Sequence, residues 1–140
     1  MVRISDKYII DILMENSRIP FVKIAEKLGV SETAIRKRIK KLEKEKVILK
    51  YTIEVDPKKI GYEVVSFIGL DTLPEYYIQT LEKLKKLDKV RKLYTSSGDH
   101  MFMMECWFRN SSELTEFLSV LKQIQGVKRI CPAIILERIK

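Results

Sequence analysis

Thr33, Lys37, Lys40 and Lys44 fall on one side of a helix wound at 3.6 residues per turn, with Arg36 and Lys41 flanking them. A ridge of this kind binds; it does not break bonds. A forked guanidinium such as that of Arg36 can read paired acceptors on a base edge, whereas ammonium groups hold phosphates and carry little sequence information. Residues suited to covalent chemistry are few. His100 is the only histidine, and Cys106 and Cys131 are the only cysteines, so one chain cannot assemble a zinc site of four Cys and His ligands. There is no Gly-x-Ser-x-Gly elbow, no phosphate-binding glycine loop and no His-Glu-x-x-His. The expectation is a binding protein rather than an enzyme, with no cofactor and no metal.

The basic ridge needs a scaffold. Ser31 to Lys46 reads as an amphipathic helix whose Ile35, Ile39 and Leu42 share the face opposite the cations, with Ser31 as its cap. Ahead of it, Val22, Ile24, Ala25 and Leu28 mark a second helix that stops at Gly29, where a left-handed residue is easily accommodated. Helix, tight turn and basic helix together form an object that fits the major groove of DNA. Ser5 to Asn16 supplies a first helix, with Ser5 and Asp6 as cap and first-turn acid and with Ile9, Ile10, Ile12 and Leu13 at helical spacing. Val47 to Val55, with Tyr51, Ile53 and Val55 alternating, reads as a strand, and Asp56-Pro57 and Gly61 break that pattern. The expected organisation is a DNA-binding domain over 1–50, a linker strand and hinge over 51–61, and a second domain over 62–140.

The charge distribution agrees with this division. Residues 1–60 hold 15 basic and 9 acidic side chains against 12 and 10 in 61–140, so the halves carry +6 and +2 of the total +8. Enrichment in lysine and glutamate also suits heat adaptation, but that would not explain the asymmetry. The 140 residues, 46% of them apolar, suffice for a real core. No window approaches the roughly 18 consecutive apolar residues of a membrane span, and Met1 to Asp6 lacks the apolar stretch of a signal peptide. A cytoplasmic protein with no membrane partner is expected. Cys106 and Cys131 lie in apolar strand-like runs and read as buried, reduced thiols.

The second half contains an internal duplication. At an offset of 37 residues, Leu81, Leu84, Leu87, Val90 and Leu93 fall on Leu118, Leu121, Ile124, Val127 and Ile130, and Arg91-Lys92 falls on Lys128-Arg129. Each copy is the end of a helix running into a strand, and a further strand precedes each helix, at Glu63 to Asp71 and at Met101 to Phe108. The order is βαββαβ, which folds into a four-stranded antiparallel sheet with both helices on one side. In the Met101 to Phe108 strand, Phe102, Met104, Cys106 and Phe108 point one way and Met101, Met103 and Trp107 the other. Both faces should be dry, so a homodimer formed sheet against sheet is expected, supplying a second basic helix roughly 34 Å along the DNA axis.

With both halves placed, the sequence resembles the Lrp/AsnC, or feast/famine, family of transcription regulators, in particular its archaeal branch. The residues that carry the resemblance are Asp6, Ile12-Leu13, Asn16-Ser17-Arg18, Ile24-Ala25, Leu28-Gly29-Val30-Ser31, Arg38-Ile39 and Leu42-Glu43. They continue through Val47-Ile48, Gly61, Gly98-Asp99 and Gly126-Val127. The resemblance implies an α+β chain with an N-terminal helix-turn-helix, winged-helix-like domain and a C-terminal ferredoxin-like βαββαβ domain. It further implies sequence-specific binding of double-stranded DNA, assembly as a homodimer or octamer, basal transcription factors as further partners, and in many members an amino-acid effector. Members that sense amino acids usually carry a second acid in a Gly-Asp-x-Asp pattern; here Met101 stands at that place, and a thioether cannot receive an ammonium group as a carboxylate can.

The candidate DNA-binding residues are Ser31, Glu32, Thr33, Arg36, Lys37, Arg38, Lys40 and Lys41. Arg36 is the best base reader, while Arg38, nearer the packed edge, suits phosphate contact or bracing. Ser97, Gly98, Asp99, His100 and Met101 form either a plain turn between strands or an effector loop. The competing functions are a small-molecule sensor whose ligand response is its main role, and a protein-interaction module that merely keeps the helix-turn-helix shape.

Overall fold

The computed structural model describes residues 4–140, with side chains from Asp6 onward. The chain divides into two compact units, one ending at Glu54 and the other running from Val55 to Lys140. In the first, α1 (Ile4–Glu15), α2 (Phe21–Leu28) and α3 (Glu32–Lys44) enclose a core of Ile9, Leu13, Ile24, Ala25, Ile35 and Ile39. In α1 and α3 these residues are four apart, and in α2 Phe21 and Leu28 extend the Ile24-Ala25 pair at a spacing of three, so the three stripes close on one another. Phe21, Leu28 and Ile48 pack around this core, whereas Val22 points outward, so the buried stripe of α2 begins one residue earlier than its pattern suggests.

The helix ends are set by local chemistry. Gly29 closes α2 at φ +66°, and the N–H of Val30 donates to the Ala25 carbonyl at 3.1 Å. The Ser31 hydroxyl caps α3 by accepting from the N–H of Ala34 at 3.1 Å. Because α1 already includes Ile4, Ser5 lies inside the helix rather than before it; its side chain is outside the described residues. The end of α3 is a Schellman turn built without glycine, in which Lys46 takes φ +59°. Lys46 N–H donates to Glu43 at 3.1 Å and Val47 N–H to Leu42 at 2.9 Å.

The strand expected over Val47 to Val55 is not formed. From Tyr51 to Asp56 the backbone is irregular, and Leu49, Tyr51 and Ile53 are 81%, 52% and 76% exposed. Alternation makes a segment ready for a sheet, but a strand exists only when another edge takes up its N–H and C=O groups, and none of the described strands pairs with this segment. Val55 and Asp56 lead into a 3₁₀ turn, Pro57–Ile60, which is capped by the Asp56 carboxylate and closed by Gly61 at φ +98°.

The second unit has the βαββαβ order. Strands β1 (Val64–Thr72), β2 (Val90–Thr95), β3 (Phe102–Phe108) and β4 (Val127–Ile134) form an antiparallel sheet in the order β2-β3-β1-β4, interleaved with α4 (Tyr77–Lys85) and α5 (Ser111–Lys122). Ile68 lies opposite Met104 and Leu70 opposite Phe102, so these residues share the face on which Leu84, Leu114, Phe117 and Leu121 pack. All five apolar pairs of the internal duplication belong to this one core, from Leu84 and Leu121, both fully buried, to Leu93 and Ile130 at its margin.

The other face is drier than a plain solvent face and wetter than the strand pattern predicts. Phe67 is 44% exposed, and Met103 and Trp107 are half-buried. Charge is interleaved among them, since the Trp107 indole donates to Glu105 at 3.0 Å and the Arg91 guanidinium lies over the Trp107 ring at 4.4 Å from its centroid. Cys106 is buried in the core, where burial and then the neighbouring Glu105 push its thiol up to about 12. Cys131, opposite Gly69, lies on the open face and is only half-buried, correcting the expectation that both thiols are enclosed.

Candidate nucleic-acid interface

On α3, Ile35, Ile39 and Leu42 are 3% exposed or less, while Ser31, Glu32, Thr33, Arg36, Lys37, Lys40 and Lys41 are all exposed. Burial of one stripe fixes the rotation of the helix and therefore which side chains remain outside. The basic ridge is thus a consequence of core packing. Arg38 differs from its neighbours: half-buried, its Nε lies 3.4 Å from the Asp6 carboxylate of α1, which makes it a brace between the first and third helices.

Arg36 is held on two sides. Its Nη2 donates to Glu32 Oε1 at 2.7 Å one turn back, and its guanidinium lies 5.1 Å from the ring centroid of Phe21 at the start of α2. The i, i+4 spacing of Glu32 and Arg36 makes the first contact readable in the sequence. Phe21 was not, because its approach depends on how α2 crosses α3. Lys41 pairs with Glu45 at 3.8 Å in the last turn.

The loop between β2 and β3 carries a second concentration of charge. Ser97, Gly98 and Asp99 are exposed, and His100 and Met101 turn inward. The His100 ring lies over Gly69, where a Cβ would collide with it, and its Nδ1 is 2.8 Å from Asp71. Asp71 also accepts from the Met101 N–H at 2.9 Å and from Arg129 Nε at 2.9 Å. Arg129 then reaches the Asp99 carbonyl at 2.7 Å and its carboxylate at 3.1 Å. Burial works to raise the Asp71 carboxyl, but the bonds from His100, Met101 and Arg129 hold it below the usual carboxylate range. Those to Asp71 and Asp99 raise Arg129 further. A cavity of about 410 Å³ opens beside the network, lined by Asp71, Thr72, Met101, Lys128 and Arg129. One guanidinium of the same chain, that of Arg129, therefore ties the loop to two strands. Sequence reading placed Arg129 only in the internal duplication and missed that role.

Comparison with known proteins bears on both regions. Residues 5–43 match the model of the AsnC-type helix-turn-helix domain and residues 65–140 that of the Lrp/AsnC ligand binding domain. The HTH-type transcriptional regulator LrpA of Pyrococcus horikoshii is 50% identical over 136 residues, covering 96% of each chain. LrpA1 of Halobacterium salinarum is 35% identical, covering 97% of this chain and 96% of its own. The solved structure of Escherichia coli AsnC superposes with a TM-score of 0.88 at 27% identity, covering 100% of this chain and 95% of AsnC. With an exposed basic α3 in the first unit and a ferredoxin-like sheet in the second, the chain belongs to the Lrp/AsnC family of helix-turn-helix transcriptional regulators.

Proposed function

We propose that this regulator binds specific double-stranded DNA sequences by laying α3 in the major groove, and that it does so as a homodimer. The observation that carries the reading is the division of α3 into a buried apolar stripe and an exposed face bearing Thr33, Arg36, Lys37, Lys40 and Lys41. Arg36 is assigned to a base edge, the lysines to phosphates, and Ser31 and Glu32 to the groove entrance at the helix N-terminus. Arg38 braces the unit through Asp6. The protein is no enzyme in this reading and acts in the cytoplasm. A homodimer is supported by two exposed apolar surfaces, the strand-like segment around Leu49 and Ile53 and the open sheet face around Phe67. Assembly into octamers and contact with basal transcription factors would build on that dimer.

The test is selection of duplexes from a random pool by the full chain, followed by mobility shifts at several salt concentrations. The expected result is one enriched sequence whose preference over a scrambled duplex survives near physiological salt. Arg36→Ala should weaken binding to it by about 1–3 kcal/mol and relax the preference. Enrichment of no sequence at all would falsify the regulator reading in favour of an interaction module.

A second reading, an amino-acid sensor, has the cavity beside Met101 in its favour. A transcriptional regulator from Neisseria meningitidis with the same fold, at a TM-score of 0.89, was solved as an L-Met complex. Against it, Arg129 already supplies Asp71 and Asp99 with the cation that a ligand ammonium would provide. Calorimetry with the twenty amino acids should give no saturable heat; a saturable heat for any one of them would restore the sensor.

A further inference from the structure

An exposed arginine usually sweeps many rotamers and reads nothing until the groove orders it. Arg36 is constrained before DNA arrives. Glu32 takes one edge of the fork at 2.7 Å, and the Phe21 ring lies 5.1 Å from the guanidinium carbon. Each contact alone is weak at an exposed site. Together they restrain the guanidinium in the free protein, and the ring contact can persist when a groove acceptor takes the place of Glu32, leaving the fork aimed for a bidentate contact to guanine. Phe21 is suited to this because it is half-buried and packed on the helical core, so its ring is itself held. Glu32 adds discrimination of a second kind. Its carboxylate stands exposed at the first residue of α3, where it would repel a misplaced phosphate and would compete with a groove acceptor for Arg36.

We propose that Phe21 and Glu32 are the positioning residues for sequence readout. Phe21 orients the Arg36 fork, and Glu32 holds it back from non-cognate DNA. The inference rests on the groove reading of α3 and adds to it one residue, Phe21, and a new role for Glu32, neither of which supplies a phosphate contact.

The experiment compares wild type, Arg36→Ala, Phe21→Leu, Phe21→Tyr and Glu32→Gln as full chains, each measured against the selected duplex and a scrambled duplex over a range of salt. Phe21→Leu keeps an apolar side chain on the core but removes the ring face. It should lower the preference for the selected duplex by about three- to tenfold, with the salt slope unchanged because no cation is lost. Phe21→Tyr restores the ring and should restore the preference, which a merely structural role would not require. Glu32→Gln should bind scrambled DNA more tightly and discriminate less. Because Glu32 is exposed, its outcome stands even where Phe21→Leu loosens the core. Loss of preference in Arg36→Ala with full preference in both Phe21→Leu and Glu32→Gln would overturn the positioning role alone. Unchanged preference in Arg36→Ala would overturn the groove assignment of Arg36, and the positioning role with it.

Discussion

Asp71 shows how one carboxylate can hold a loop. It accepts from a backbone N–H, an imidazole and a guanidinium, and each of these bonds favours its ionised form. The linkage has a definite sign. A carboxyl whose folded pKa is depressed adds stability that is present above its unfolded value, near 3.9, and is lost as pH falls through the lower folded value. Asp71→Asn should therefore melt below wild type at pH 7, and the gap should close as the pH is taken from about 4 downward. Thermal melts between pH 2 and 7 check this; a gap independent of pH would show that the charge is immaterial. Sequence reading placed Gly98-Asp99-His100 in a turn or effector loop, but nothing in it could show that Asp71 and Arg129, 58 positions apart, meet there. Ion pairs between neighbouring strands depend on register, which no local pattern of charges reveals.

Elements bounded by local chemistry were legible, whereas the one that depends on a partner was not. Gly29, Ser31 and the stripes of α1 and α3 define the helix-turn-helix because caps and periodicity act within a few residues. The duplicated helix-to-strand pattern likewise placed α4, β2, α5 and β4. Tyr51, Ile53 and Val55 misled because alternation describes a strand's faces and says nothing about who pairs with it. The end of α3 carries a prediction of its own. Lys46 sits in the left-handed region, where a Cβ is unfavourable by roughly 1 kcal/mol, so Lys46→Gly should stabilise the first unit by up to about that amount. Chemical denaturation of the two chains measures it, and a destabilised glycine variant would mean that Lys46 makes a contact worth more than the strain.

For the whole molecule, the two units answer to different forces. The first brings positive charge to DNA, and its affinity should fall steeply with salt. The second presents a mixed apolar face. If that face is where two copies meet, Phe67→Glu places a charge in the middle of it and should shift the sedimentation profile from dimer to monomer, with weaker operator binding as a secondary effect. An unaltered profile would show that Phe67 lies at no contact between copies.

The chain's one tryptophan, Trp107, stands on that same open face beneath Arg91 and beside Tyr62. This gives the protein an intrinsic optical probe at the place of interest. If two copies meet on this face, dilution should change indole emission and its quenching by acrylamide, while addition of DNA at constant protein concentration should leave both nearly constant. Self-association and operator occupancy can then be followed separately in one cuvette, without a label.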